Sequence, residues 1–295
     1  WYICMKSSKE GKMIYISSSC VKNKTIKESV QELVDSGFKN IELSGGTEYY
    51  DGFEDDLLKL KKKYNLNYIC HNYFPPPKEH FVLNLASLDD EVYDKTFEHL
   101  TNAIELSKKL GARKFGFHSG FFIDIKVSEI GKKISKVNLF DKSKSIQRFC
   151  DGVKKLQSLS GDLELYIENN VFSSTNAKTY ENDNLFMLTN SSEYQELKNM
   201  INFNLLLDVA HLKVSSKTLE LDFEEELSYM ISQSDYIHIS DNDALHDLNH
   251  KLQKDSNLVK LLKKQDLKDK DFTLEIYDDM DAIKETYKIL QEVIE

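Results

Sequence analysis

Five short apolar runs in this chain each end on a residue able to bind a metal ion: Tyr68-Ile69-Cys70-His71, Phe115-Gly116-Phe117-His118, Leu165-Tyr166-Ile167-Glu168, Leu205-Leu206-Leu207-Asp208 and Phe272-Thr273-Leu274-Glu275. A sixth run, Tyr236-Ile237-His238-Ile239, carries its histidine one residue before the end. Such runs have the length and composition of buried strands. Strands whose carboxyl ends all carry ligands can aim them at one point only if they run parallel around a ring. That arrangement is the catalytic face of an eight-stranded β/α barrel.

The rest of the chain alternates in the same sense. Strands are expected at Met13–Ser17, Asn40–Leu43, Asn67–Cys70, Lys114–Phe117, Glu164–Ile167, Asn204–Leu207, Tyr236–Ile239 and Asp271–Leu274. Helices are expected over Thr25–Ser36, Phe53–Lys63, Glu91–Leu110, Lys142–Leu159, Glu193–Met200, Phe223–Ser232, Asn257–Lys264 and Asp281–Val293. Eight such units without a linker imply one α/β domain over residues 13–295. The first twelve residues, Trp1 to Lys12, are expected to be an extension outside the fold, with Met5 or Met13 as the natural start. Pro75-Pro76-Pro77 cannot pair in a sheet and makes a stiff segment shortly after His71, fit for a pocket wall or a plain surface loop.

Composition limits the function. No apolar run is long enough to cross a bilayer. Cys4, Cys20, Cys70 and Cys150 show no paired spacing, which reads as free thiols in a reducing, cytoplasmic setting. The formal charge of −10 disfavours loose binding to nucleic acid, although a local basic groove would be compatible with it. Arg113 and Arg148 are the only arginines. Arg113 precedes the strand that ends on His118, which puts it at the opposite end of the barrel, and Arg148 falls in a helix. Bidentate arginine grips on phosphate are therefore not expected at the site.

Glu168, Asp208, His238 and Glu275 form an oxygen and nitrogen set suited to Mn²⁺, Mg²⁺, Zn²⁺ or Co²⁺. Brought together without a cation, the three carboxylates would repel and drive one another's pKa upward. Around them stand His71 and His118 at neighbouring strand ends, His211 in Asp208-Val209-Ala210-His211, and Asp247 with His250 in the loop after the seventh strand. His246 competes with His250. Asn72, beside His71, is a candidate substrate contact. Tyr73, Phe74, Phe121 and Phe122 could stack on a sugar ring or simply pack beneath a lid.

These residues carry a family resemblance. Ile41-Glu42-Leu43, His71 with Leu83-Asn84-Leu85, Phe117-His118, Ile167-Glu168-Asn169, Asp208-Val209-Ala210-His211, Ile237-His238-Ile239-Ser240-Asp241-Asn242 and Leu274-Glu275 occur in the order seen in the xylose-isomerase-like superfamily. The chain resembles that superfamily from about Met13 to its C-terminus. The resemblance implies a single (β/α)8 TIM barrel in which Glu168, Asp208, His238 and Glu275 hold a divalent metal. It also implies that the two glutamates transfer protons, as in the superfamily's sugar epimerases. His71, His118, His211 and Asp247, with His250, match the extra zinc ligands of endonuclease IV-like members. The chain departs from the pattern in two places. Asp247-Leu248-Asn249-His250 is not followed by a glycine-rich turn, and no arginine stands near strand seven, where Lys213 is the nearest substitute.

Two activities follow from the resemblance and the ligand set. The first is a metal-dependent isomerase or epimerase of a sugar or sugar phosphate, working by proton transfer at Glu168 and Glu275 through an enediolate and without an organic cofactor. The second is a multi-zinc phosphoester hydrolase, of the apurinic-site endonuclease type, in which His71 and His118 become essential. A metal-binding barrel without catalysis is a third, weaker reading. The expected partner is a small carbohydrate, and self-assembly is left open.

Overall fold

The computed structural model describes residues 13–130 and 132–295, so the expected N-terminal extension lies outside the described residues. Eight strands run in the order β1 (Ile14–Ser17), β2 (Asn40–Leu43), β3 (Asn67–His71), β4 (Lys114–His118), β5 (Glu164–Glu168), β6 (Asn204–Asp208), β7 (Ser234–Ile239) and β8 (Asp271–Leu274). All pairings are parallel, and β8 pairs with β1, so the sheet closes into a barrel. The helices around it are α1 (Ile26–Asp35), α2 (Phe53–Tyr64), α3 (Asp90–Lys109), α4 (Lys142–Ser160), α5 (Ser174–Thr179), α6 (Ser191–Met200), α7 (Val209–Thr218), α8 (Phe223–Gln233), α9 (Asn257–Leu262) and α10 (Met280–Ile294). No helix among the described residues is long and apolar enough to cross a membrane.

Strand parity sorts the side chains. Ile41 and Leu43, Phe115 and Phe117, Leu165 and Ile167, Leu205 and Leu207, and Ile237 and Ile239 point outward into the main core beneath the helices. Residues of the other parity fill the barrel in layers. Tyr15, Ile69, Tyr166, Leu206 and Tyr236 make an apolar plug. Lys114 closes its lower end, with its ammonium 3.1 Å from Asp271 and over the rings of Tyr166 and Tyr236. Two residues farther along each strand, above this plug, come His71, Glu168, Asp208 and His238. The ligands are thus the next inward layer of a barrel whose floor is apolar.

The helices start where side chains can take up free backbone N–H groups. Thr25 and Glu28 form a reciprocal cap on α1, and Asp89, Asp141, Asn190, Asp222 and Asp279 cap α3, α4, α6, α8 and α10. Two helices differ from the sequence expectation. α5 is a short helix inside the loop expected after β5. α7 follows β6 directly, and Asp208 serves as its cap by accepting from the His211 N–H at 2.7 Å. α7 is buried nearly all round, so it lacks the one-sided periodicity that marks a surface helix. Cys20, Cys70 and Cys150 are buried free thiols.

His99 lies on α3 with 9 % of its surface exposed and its Nε2 without a partner. Burial lowers its pKa to about 4. A depressed pKa makes the neutral ring a stabilising choice that is fully available above the unfolded value of about 6.5 and is lost as pH falls toward 4. Replacing His99 with leucine should therefore flatten the stability profile between pH 6.5 and 4 by up to about 3 kcal/mol relative to the parent. Urea unfolding across that range measures the difference.

Candidate metal centre

Glu168 is the hub of the site. It has no solvent exposure, and its Oε2 lies 2.6 Å from His71 Nε2 and 3.2 Å from His118 Nδ1. Its Oε1 faces His211 Nδ1 at 3.6 Å and His238 Nδ1 at 3.7 Å. Strand register creates this convergence: His118 is level with Glu168, and Asp208 with His238. His238 precedes the end of β7, yet it shares the inward parity of its neighbours and so belongs to the same layer.

Each of the other two carboxylates has one oxygen held by the protein and one turned inward. Asp208 Oδ1 caps α7, and its Oδ2 lies 4.0 Å from His238 Nδ1. Glu275 Oε1 accepts from the Tyr277 hydroxyl at 2.8 Å and the Ser19 hydroxyl at 3.2 Å, while Oε2 lies 3.5 Å from His238 Nδ1. The His211 ring donates through Nδ1 to the Asn169 carbonyl at 2.9 Å, so Nε2 faces Asp247 at 3.3 Å. Asn169 also ties β5 to β6, its side chain exchanging bonds of 2.7 and 3.0 Å with the Asp208 backbone.

The carboxylates and imidazoles of this cluster set one another's charge. Burial pushes the Asp208 carboxyl up to about 7. Against the cost of burial, His118, His71 and His238 hold Glu168 well below the usual carboxylate range, and His238 brings Glu275 down to about 2. Burial works against charge on His211, yet Asp208 and Asp247 raise it well above its ordinary value. Burial takes His118 down to about 4. Without a bound cation, His211 and His238 supply the positive charge that the carboxylates demand. His238 Nδ1, Glu168 Oε1 and His118 Nδ1 are buried without a hydrogen-bond partner. His71–Glu168–His238, Glu168–Asp208–His211 and Asp208–His238–Glu275 each bring three donor atoms within 4.8 Å of one another. Orphaned donors on a carboxylate and imidazole set fit a divalent cation.

Of the sequence candidates, Glu168, Asp208, His238, Glu275, His71, His118, His211 and Asp247 come together. His250 does not. Its backbone pairs reciprocally with Asp241, and its ring bonds Asp278 at 3.1 Å on a side chain 53 % exposed. His246 is likewise exposed and bonded to Asp243. Lys213 is tied to Asp241 at 2.5 Å and to the Asn242 carbonyl, so it braces the loop after β7 instead of offering a free charge. Asn72 is buried at the end of β3, with its N–H bonded to the Gly116 carbonyl. Phe74, Phe121 and Phe122 are packing residues, buried in the apolar clusters. Tyr73 is only partly buried and adopts φ 64°, which a bulky side chain rarely takes.

Two contributors were not assigned from sequence. Glu42 on β2 is buried beside His238, at 2.9 Å. Gly116 leaves room for His71, because a Cβ there would lie 3.0 Å from the His71 ring and 2.8 Å from Leu206. A glycine at an inward position of a strand is the signal that could have marked it.

A family model described as a xylose isomerase-like TIM barrel matches residues 30–293. The chain belongs to that family. Among solved structures, it is similar to a D-tagatose 3-epimerase-like protein (TM-score 0.70, 19 % identity, covering 96 % of this chain and 97 % of that one). It is also similar to an L-ribulose 3-epimerase (0.67, 14 %, 96 % and 94 %) and to endonuclease IV from Thermus thermophilus (0.58, 15 %, 96 % and 98 %). These likenesses establish the barrel, and the family includes enzymes of both kinds. No curated protein matches by sequence.

Gly116→Ala should destabilise the fold by about 1–3 kcal/mol, because both neighbours of the new methyl are packed. Chemical denaturation gives the size of the loss, and an unchanged midpoint would refute the role assigned to this glycine.

Proposed function

We propose that this protein is a divalent-metal-dependent isomerase or epimerase of a sugar, with Glu168 and Glu275 as the proton-transferring groups. One observation carries the reading. Carboxylates from the ends of the non-adjacent strands β5 and β8 approach the same imidazole nitrogen, His238 Nδ1, at 3.7 and 3.5 Å. They therefore flank one position. Glu168, Asp208, His238 and Glu275 would hold the cation, with His71, His118, His211 and Asp247 around them.

When bound, the cation supplies Lewis acidity to a carbonyl and its neighbouring hydroxyl, which acidifies the intervening C–H and stabilises the enediolate. The residues do the rest. One glutamate removes the proton from one face of the substrate carbon, and the other returns a proton from the opposite face, which inverts the centre. Ser19 and Tyr277 fix Glu275 Oε1 and so direct the remaining oxygen inward. The apolar plug below keeps water from the floor of the site.

The placement of the arginines supports a sugar over a nucleic acid. Arg113 lies at the N-terminal end of β4, away from the ligand layer, and Arg148 sits on α4, bonded to Asp90 at 2.6 Å and stacked over Tyr93. The ketose epimerases among the similar structures agree with this reading. One observation favours the second reading, phosphoester hydrolysis. Glu168 Oε2 lies between His71 and His118, which gives a further cation its own imidazole ligands.

Metal counting separates the two. After equilibrium dialysis, about one Mn²⁺ per chain supports the isomerase, and about two or three zinc ions support the hydrolase. Incubation of ketoses with the Mn²⁺-loaded protein in D₂O should place deuterium at the carbon beside the carbonyl, as read by proton NMR. Glu168→Gln and Glu275→Gln should each slow that exchange about 10²- to 10⁴-fold. Absence of exchange, together with cleavage of a phosphodiester reporter, would replace the first reading by the second.

A further inference from the structure

We propose that Glu42 is a positioning residue of the cation site: it takes the Nε2–H of His238 and thereby fixes the tautomer that bares Nδ1 toward Glu168, Asp208 and Glu275. The inference rests on the metal-dependent reading above and deepens it.

A neutral imidazole carries one N–H and one lone pair, and whichever nitrogen finds an acceptor keeps the proton. For His238 the acceptor is on the Nε2 side. Glu42 Oε2 lies 2.9 Å from Nε2, whereas Nδ1 is buried with no hydrogen-bond partner. Both side chains are fully shielded from solvent, so water cannot redistribute the proton. Nδ1 is also the atom from which the distances of 3.5, 3.7 and 4.0 Å run to Glu275, Glu168 and Asp208. The nitrogen left bare is therefore the one facing the carboxylates.

Glu42 is itself held for this purpose. Its Oε2 also accepts from the Thr273 hydroxyl at 3.1 Å and from the Tyr236 hydroxyl. Those two hydroxyls are 3.0 Å apart and sit just above the apolar plug. A carboxyl inside a barrel costs several kcal/mol to bury, and a TIM-barrel interior is otherwise filled by branched apolar side chains. Three donors converging on one oxygen offset that cost and fix the carboxyl's orientation. Partners of this kind set the orientation and basicity of a metal-binding histidine, and their loss weakens metal binding about 10- to 100-fold.

Zinc and Mn²⁺ titrations of the metal-free full chain, followed by calorimetry, test the proposal together with ¹⁵N shifts of the histidine rings. The His238 resonance is assigned by its loss in His238→Asn. In the zinc-loaded parent protein the His238 signals should show protonated Nε2 and no proton on Nδ1. Glu42→Met, which removes both carboxylate oxygens and leaves the Tyr236 hydroxyl at 3.4 Å as the remaining acceptor for Nε2, should lower affinity about 10- to 100-fold and mix the tautomers. Glu42→Gln keeps one acceptor oxygen and should fall between the two. If Glu42→Met does not fold, Glu42→Gln decides, and parent-like affinity there overturns the proposal. Parent-like affinity in Glu42→Met overturns it as well, as does weaker binding with unchanged ring shifts, which would reduce Glu42 to a structural role. Failure of the parent to bind either ion contradicts the metal-dependent reading instead, a result separate from the ring shifts.

Discussion

Three buried carboxylates crowded at one end of a closed barrel are the constraint that the rest of this structure answers. Two like charges about 4 Å apart repel by roughly 4 kcal/mol at an effective dielectric near 20. Glu168, Asp208 and Glu275 all approach His238 Nδ1 within 4.0 Å. The protein offsets part of the repulsion with imidazoles, a helix N-terminus on Asp208, and hydroxyls on Glu275. It leaves inward-facing donor atoms unpaired, which a divalent cation would satisfy.

The barrel turns this constraint into geometry. Parity places one residue of each pair outward into the helix-covered core and the other inward, so a ligand two residues above the plug is aimed at the axis without any loop to position it. Rigid strands hold the cluster, and loops supply only its outer members. Asp247, from the loop after β7, is one of these; its side chain is 28 % exposed, against 1 % for Glu168. Precision is greatest where the chemistry would occur.

Much of this was legible in the sequence because strand ends are marked by local pattern. The apolar runs gave the eight strands to within two residues, and their terminal ligands named most of the cluster. Residues whose roles depend on contacts across the ring were not legible. Glu42 stands in the Ile41-Glu42-Leu43 run without a role of its own, and only closure of the barrel brings it to a histidine 196 positions away. Gly116 matters through the volume it leaves for His71. His250 looked like a ligand by spacing, but its backbone bridge to Asp241 turns the ring toward Asp278. Lys213 was the nearest substitute for the missing arginine, but its ammonium is tied to Asp241. α7 escaped notice because a helix buried on most sides has no polar stripe.

The account depends on one cation lying among groups brought from four strands. Crystals soaked in Mn²⁺ and measured at the manganese absorption edge test that most directly. The predicted result is an anomalous peak ligated by Glu168, Asp208, His238 Nδ1 and Glu275, with any further peak beside His71 and His118. An ion-loaded crystal in which the peak lies elsewhere, or in which His238 binds through Nε2, would contradict it.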